Sequence, residues 1–308
     1  MALELTKIGV IRNRRSHANR DQVPTPPEGV LWGEPETPEA LADDLRRFAE
    51  ANVALVVVDG GDGTVREVLS ALPGAFGADA PILAVLPSGK TNVLALDLGV
   101  QPRWTLDAAL AQVTRGPLIL KTRRPLALRW SAGSQPPVQG FIFGLGAFVR
   151  ATQMSHAVHR MGAFHSLAVA LTVVGAAFGA LFGRDSDGWR QGVSARLAID
   201  GEEATTAARF VVLATALKRL PLGLRPFGPP QEGLKVLEVS APPKRLALAL
   251  PAVLLGGAEA WLRRHGYRRA LAEGLIISSP ESVVIDGDVF PGGEITISLA
   301  PPLRFLVP

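Results

Sequence analysis

Apolar and polar positions in the first 120 residues follow two alternating periods. Short apolar runs at Lys7 to Ile11, Val53 to Val58 and Ile82 to Leu86 have the length and content of buried strands. Between them, apolar residues recur at helical spacing. Leu41, Leu45 and Phe48 form one face behind Thr37-Pro38-Glu39, which reads as a helix start with Thr as N-cap, Pro at the first position and an acid in the first turn. Val65, Val68, Leu69 and Leu72 form a second face, and a third helical pattern starts at Val93. This βαβα series predicts a parallel sheet with helices on its faces. Ligands of such sheets lie beyond the carboxyl ends of the strands. Three loops meet that description: Asn13 onward, Gly60 to Thr64, and Ser88 to Asn92.

The texture changes near residues 121–125. Short β-rich runs follow at Leu126 to Trp130, Phe141 to Gly144, Val193 to Ile199, Arg209 to Leu213, Leu234 to Val239, Ser282 to Asp286 and Glu294 to Leu299. Many are separated by Pro- and Gly-rich turns, a pattern that predicts an antiparallel sandwich or barrel. Two apolar helices would be inserted in it. Ser166 to Gly183 carries no charge over 18 residues, the minimum length for a membrane span. Its Ala and Gly content favours a buried or interface-lying helix, with a span as the alternative. Leu246 to Trp261, broken by Pro251, Gly256 and Gly257 and carrying Glu259, reads as a core helix.

Composition narrows the chemistry. The chain has 308 residues, 47% of them hydrophobic, enough for two cored domains. It has no cysteine, which excludes disulfides, thiolate metal sites and a cysteine nucleophile and suits a reducing cytosol. Met1 to Leu5 lacks a basic region ahead of an apolar core, so no secretory signal is expected. Net charge is +4 with a pI near 9.8. Arginines cluster at 12–20, 123–124 and 263–269, with the chain's one tyrosine, Tyr267, the sole Phe, Tyr or Trp among them, so nucleic acid is not the expected partner. The five histidines show no metal-ligand spacing.

The densest chemical signal is Val56-Val57-Val58-Asp59-Gly60-Gly61-Asp62-Gly63-Thr64. A strand, a glycine turn and a helix start build a phosphate site. The glycines open unusual backbone angles and close approach, and the first helical amides face an anion. Asp62 inside that loop would repel phosphate unless it binds a cation or handles a proton. A plain tight turn capped by Thr64 or Asp62 is the structural alternative. Ser88-Gly89-Lys90-Thr91 looks like the end of a P-loop, but Ala84 stands where the motif needs glycine.

Together these segments resemble the diacylglycerol kinase catalytic-domain family, in its bacterial lipid kinase and sphingosine kinase-like branch. Gly60 to Thr64 resembles its GGDGT loop, with Glu67 at the spacing of an Asn-Glu pair whose Asn is Arg66 here. Leu86 to Asn92 is similar to Leu-Pro-x-Gly-Thr-x-Asn, with Lys90 in the usual Thr position. Asn13 to Ser16 resembles a first Asn-Pro-x-Ser-Gly loop that has lost its Pro and Gly and gained Arg14, Arg15 and His17. Phe143 to Ala147 and Met161 to Phe164 resemble second-domain motifs, and Ile285 to Asp288 resembles a late Asp-Gly-Glu.

The resemblance implies an N-terminal Rossmann-like α/β nucleotide domain, residues 1–122. A C-terminal β-sandwich domain with inserted helices, residues 123–308, would follow. It leaves room for a last strand that packs back onto the first domain. It implies an ATP- and Mg2+-dependent transfer of the γ-phosphate to a lipid hydroxyl, diacylglycerol by default. Asn13, Gly60, Gly61, Asp62, Gly63, Thr64, Glu67, Ser88, Gly89, Lys90, Thr91 and Asn92 would border the nucleotide. Asp62 would hold magnesium, Asp288 would act as general base, and Asp286 would steady that loop or the metal. Asp286-Gly287 also reads as a hairpin turn, and Lys90 is equally a phosphate contact or a solvent-facing residue.

A second metal site of the branch would fall at Gln231-Glu232-Gly233-Leu234, where Glu232 alone is a weak ligand. The implied partners are a lipid substrate and a membrane surface touched peripherally from the cytoplasm, with Val169 to Phe182 as a contact. A homodimer is left open. Two alternatives stand beside this: a non-catalytic nucleotide- or lipid-binding protein on a kinase scaffold, and a NAD-kinase-like soluble kinase.

Overall fold

The computed structural model describes residues 7–133, 135–160 and 189–308. The apolar segment Ser166 to Gly183 and the Met161 to Phe164 motif lie outside the described residues. The chain divides into two compact units, Met1–Pro125 with Pro301–Pro308, and Leu126–Ala300.

The first unit is built on a six-stranded sheet. Its strands are β1 (Ile8–Arg12), β2 (Leu31–Gly33), β3 (Leu55–Gly60), β4 (Ile82–Pro87), β5 (Leu120–Arg123) and β17 (Leu303–Leu306), in the order β2-β1-β3-β4-β17-β5. All neighbours are parallel except β17 and β5. β1 and β3 are buried at every position, as strands covered on both faces must be.

Helix α1 (Pro38–Glu50) starts as its cap residues dictate: Thr37 Oγ1 accepts from Ala40 N at 3.2 Å, and Leu41, Leu45 and Phe48 are buried. Helix α2 (Asp62–Phe76) buries Val65, Val68, Leu69 and Leu72. Helices α3 (Val93–Leu98) and α4 (Leu106–Arg115) follow. Register places Arg12 beside Asp59, Asp59 beside Leu86, and Gly60 beside Pro87. The loops after β1, β3 and β4 therefore leave the sheet at one level, which is what brings candidate site residues together.

The second unit holds β6 (Leu126–Trp130), β7 (Val138–Gly140), β8 (Ile142–Gly146), helix α5 (Ala147–Arg160), β9 (Val193–Ile199), β10 (Thr205–Thr215), β11 (Leu234–Ser240), helices α6 (Leu246–Leu254) and α7 (Glu259–Arg264), β12 (Tyr267–Ala272), β13 (Gly274–Ser279), β14 (Val283–Ile285), β15 (Asp288–Phe290) and β16 (Gly293–Leu299). The eleven strands share one hydrogen-bonded network instead of two separately bonded sheets.

The cause is β10, whose first half pairs with β9 and second half with β8, while β11 covers its other edge. A bulge between Arg209 and Val211 marks the change of partner. Arg209 is 2% exposed there, and its guanidinium meets Glu238 Oε1 at 2.8 Å, the carbonyls of Ala207 and Thr205, and Thr205 Oγ1. A buried cation is tolerated only with such complete bonding.

The run Leu246 to Trp261 is not one core helix. It divides into α6 and the start of α7, and Gly256 takes a left-handed φ of 76° between them. Leu246, Ala249, Val253 and Leu262 join Phe210, Val211, Leu237, Val239 and Tyr267 in the core, while Leu248 and Leu255 stay exposed.

Candidate functional site

β3 ends at Gly60, Gly61 is the N-cap of α2, and Asp62 opens the helix. Val65 N closes the first helical bond to Gly61 O at 3.0 Å, so the amides of Asp62, Gly63 and Thr64 precede the ladder. No side chain caps them from the Gly61 position. Carboxylates and phosphates are favoured at such an end.

The glycines act through space and not through unusual torsions. Gly61 has φ −90° and ψ −175°, and none of Gly60, Gly61, Gly63 and Gly89 has a positive φ. A Cβ on Gly60 would lie 2.6 Å from Thr64, and one on Gly89 would lie 2.5 Å from the Cα of Gly61. The two glycine loops touch backbone to backbone, a separation that no side chain allows.

Asp62 bridges the same two loops. Its Oδ1 accepts from Val93 N at 2.8 Å, at the start of α3. Its carboxyl is pushed up to about 6, because burial penalises the charge more than the amides of Val93, Leu94 and Asn92 relieve it. A carboxyl poised near neutrality suits a group that exchanges a proton or meets a cation.

Asn92 has a left-handed φ of 50°, a conformation that Asn tolerates better than most residues. Its Oδ1 accepts from Gly89 N at 2.8 Å, and its Nδ2 donates to the carbonyls of Pro87 and Gly89. Those bonds fold the loop from within. Ser88 is buried, with its hydroxyl on Asp59 Oδ1. Lys90 and Thr91 are exposed at the tip of the loop.

The loop after β1 is held despite its missing Pro and Gly. Asn13 Oδ1 accepts from Arg15 N at 2.8 Å, Ser16 N donates to Asn13 O at 3.1 Å, and Ala18 N donates to Ser88 O at 3.0 Å. Asn13 Nδ2 donates to Thr64 Oγ1 at 2.8 Å, joining this loop to α2. Arg14 and Arg15 lean toward Glu34 and Glu36, at 3.8 and 3.9 Å.

Beside these loops is an open cleft of about 170 Å³, lined by Arg12, Asn13, Glu34, Thr37, Thr64 and Glu67 among others. Arg12, 3% exposed, pairs with Asp59 Oδ2 at 3.2 Å. Its Nη1 lies 3.7 Å from Glu34 Oε1, and neither of these two buried atoms has a hydrogen-bond partner. Sequence reasoning missed Arg12, Asp59, Glu34 and Asn19, whose Nδ2 reaches the carbonyls of Asn13 and Asp59. The available signal was position: Arg12 and Asp59 end adjacent parallel strands at the level of the glycine loop.

Asp286 and Asp288 lie in the second unit. Asp286 and Gly287 have φ of 47° and 92° and connect β14 to β15, as in a two-residue hairpin turn. The Asp286 carboxylate accepts from Phe141 N at 2.9 Å and Ile142 N at 2.8 Å, so it steadies this loop. Asp288 is exposed at the start of β15. Glu232 is largely exposed and paired with Lys218. Among the described residues, no group of three or more His, Asp or Glu side chains is placed to hold a metal.

Residues 29–119 match the diacylglycerol kinase catalytic domain. The lipid kinase YegS of Escherichia coli strain K12 is 39% identical over 77 residues, which are 25% of this chain and 24% of that protein. The match thus spans about a quarter of the length of this curated relative. The whole fold is similar to a crystal structure described as a diacylglycerol kinase from Bacillus anthracis strain Sterne, with a TM-score of 0.64 and 15% identity over 99% of this chain and 98% of that one.

Proposed function

We propose that this chain, whose residues 29–119 belong to the diacylglycerol kinase catalytic-domain family, is a lipid kinase that transfers the γ-phosphate of ATP to a lipid hydroxyl. Diacylglycerol or a related lipid is the acceptor class. The observation that carries the reading is the corner at Gly60 to Asp62. There a strand end, an uncapped helix start and a carboxyl near neutrality meet beside an open cleft.

In this reading the Rossmann-like domain, residues 1–122 with the returning strand β17, serves the nucleotide, and the rest of residues 123–308 serves the lipid. The first-turn amides of α2 bind phosphate oxygens, and Thr64, held by Asn13, adds a hydroxyl. Gly61 and Gly89 let the two phosphate-side loops close on each other. Glu67, Ser88, Lys90, Thr91 and Asn92 border the nucleotide, with Ser88 and Asn92 shaping the loop and Lys90 free to approach phosphate as a point charge.

Magnesium would be held by Asp62, whose desolvated carboxyl is the kind of donor that a cation stabilises. When bound it would neutralise charge on the phosphates. The lipid oxygen attacks the γ-phosphorus, the bond to the bridging oxygen of ADP breaks, and the hydroxyl proton passes to Asp288. Asp286 keeps the Asp288 hairpin in place through Phe141 and Ile142. The enzyme acts from the cytoplasm at a membrane surface, in phospholipid metabolism.

The test is labelled ATP, Mg2+ and a total lipid extract in mixed micelles, with wild type beside Asp62→Ala and Asp288→Ala. A labelled lipid that both variants abolish supports the reading. ATP binding without any labelled lipid refutes it, in favour of a non-catalytic binder on the same scaffold. One observation favours that second reading: Asp62 Oδ1 already serves Val93 N as a structural acceptor.

A further inference from the structure

Helix α6 has two apolar faces but only one core to cover. Leu246, Ala249 and Val253 are buried against β10, β11 and β12, whereas Ala247, Leu248, Pro251 and the following Leu255 are exposed. Leu248 and Leu255 are 66% and 76% exposed. The outward face carries no polar side chain from 246 to 255. Isolated exposed leucines need no explanation, but an unbroken apolar face does.

The helix is also fixed firmly in that pose. Arg269 donates to the carbonyls of Val253 and Ala252 at the helix end and to Gly257 O, and pairs with Glu259. Arg225 N donates to Leu254 O at 2.8 Å, and the Arg225 side chain begins against Gly256.

Charge decides what covers this face. Exposed Lys244 and Arg245 precede the helix, exposed Arg225 adjoins its other end, and Arg263 and Arg264 are exposed on α7. Glu259 is the only acid between 241 and 270, and Arg269 engages it. Cations ahead of Leu246 oppose the helix dipole, so helix stability does not account for Lys244 and Arg245.

We infer that the exposed face of α6, with its cationic ends, docks on an anionic lipid bilayer, its leucines entering the interface while the basic groups meet phosphate headgroups. The inference rests on the membrane contact of the kinase reading and gives it a surface, but its readout is binding, so it can fail or hold independently of turnover.

The test is co-sedimentation with phosphatidylcholine vesicles, with and without phosphatidylglycerol, alongside analytical ultracentrifugation of the free protein. Wild type should bind the anionic vesicles, and more weakly as salt rises. Leu248→Asp with Leu255→Asp should weaken partitioning by at least about tenfold, with the thermal melt unchanged. Lys244→Glu or Arg245→Glu should each weaken it roughly fivefold at low salt. The inference is overturned if wild type ignores anionic vesicles or if the double aspartate variant binds like wild type. It is also overturned if wild type is a dimer that Leu248→Asp dissociates without any vesicle binding, since the face then covers a second copy.

Discussion

Replacing Asp62 by Asn should stabilise the protein while removing its chemistry. The carboxyl of Asp62 lies at about 6 in the folded chain against an ordinary value of 3.8. The folded state therefore holds this proton more tightly than the unfolded state does. Well below pH 3.8 both states are protonated, and the residue has no net effect. As pH rises from about 4 to about 6 the unfolded state ionises first, and folding loses stability, because fewer protons are bound unfolded than folded. Above that window the loss is constant. The rise from 3.8 to about 6 corresponds to at most ~3 kcal/mol. Asn keeps an oxygen for Val93 N but carries no charge to desolvate.

In a nucleotide-free buffer with a metal chelator, Asp62→Asn should thus melt higher than wild type at pH 7.5. The gain should be up to roughly 10 °C for a unit of this size. The difference should close as pH falls toward 4. Calorimetry across that range is the assay. A variant no more stable than wild type at pH 7.5, or a gap that stays constant from pH 4 to 7.5, would refute the account of Asp62 as a desolvated carboxyl.

Other positions separate structure from chemistry in the same way. Gly89→Ala places a methyl 2.5 Å from Gly61 Cα and 2.8 Å from Asn92 Oδ1, and should cost about 1–3 kcal/mol in urea unfolding together with weaker nucleotide binding. Gly74→Ala, on α2 with nothing within 4 Å of the new Cβ, should instead stabilise by about 0.5–1 kcal/mol with activity intact. Asp286→Ala leaves the amides of Phe141 and Ile142 without their carboxylate and should cost roughly 1.5–3 kcal/mol by the same assay. Exposed Asp288→Asn should stay within about 0.5 kcal/mol of wild type yet lose phosphoryl transfer.

The elements that sequence revealed best are those whose stabilisation is local or periodic. Thr37 as a cap, the apolar face of α1 and the strand at 193–199 are visible in a few neighbouring letters. β12 and β13 were missed because their order comes from distant partners: Arg268 and Arg269 read as a basic cluster, yet Glu238 and Leu237 pair with them across the sheet. The split of one apolar run into α6 and α7 falls at Gly256, a break the sequence marked, while the contacts of Arg269 with the helix end are ones that no spacing rule contains.

At the candidate site, residue types were legible and their uses were not. Gly60, Gly61 and Gly63 were expected to supply unusual torsions, yet none has a positive φ; Gly61 and Gly89 instead allow two loops to touch. Ser88 and Asn92 were expected at the nucleotide, and their side chains are engaged in folding the loop. Arg12 and Glu34 escaped notice because an ion pair between the ends of separate strands leaves no motif.

The strand at Leu303–Leu306 has a consequence for how the protein is made. It lies between β4 and β5, and among the described residues β5 has no other neighbour in its sheet. β4 and β5 are both synthesised by residue 123, yet the strand that joins them follows about 180 residues later. At ordinary translation rates that interval is roughly ten to forty seconds. Throughout it, the nascent first unit displays an open apolar sheet edge, the state in which chaperones and unwanted edge-to-edge pairing compete. The last strand thus acts as a completion check on the first unit, which cannot close its sheet until the intervening unit has left the ribosome.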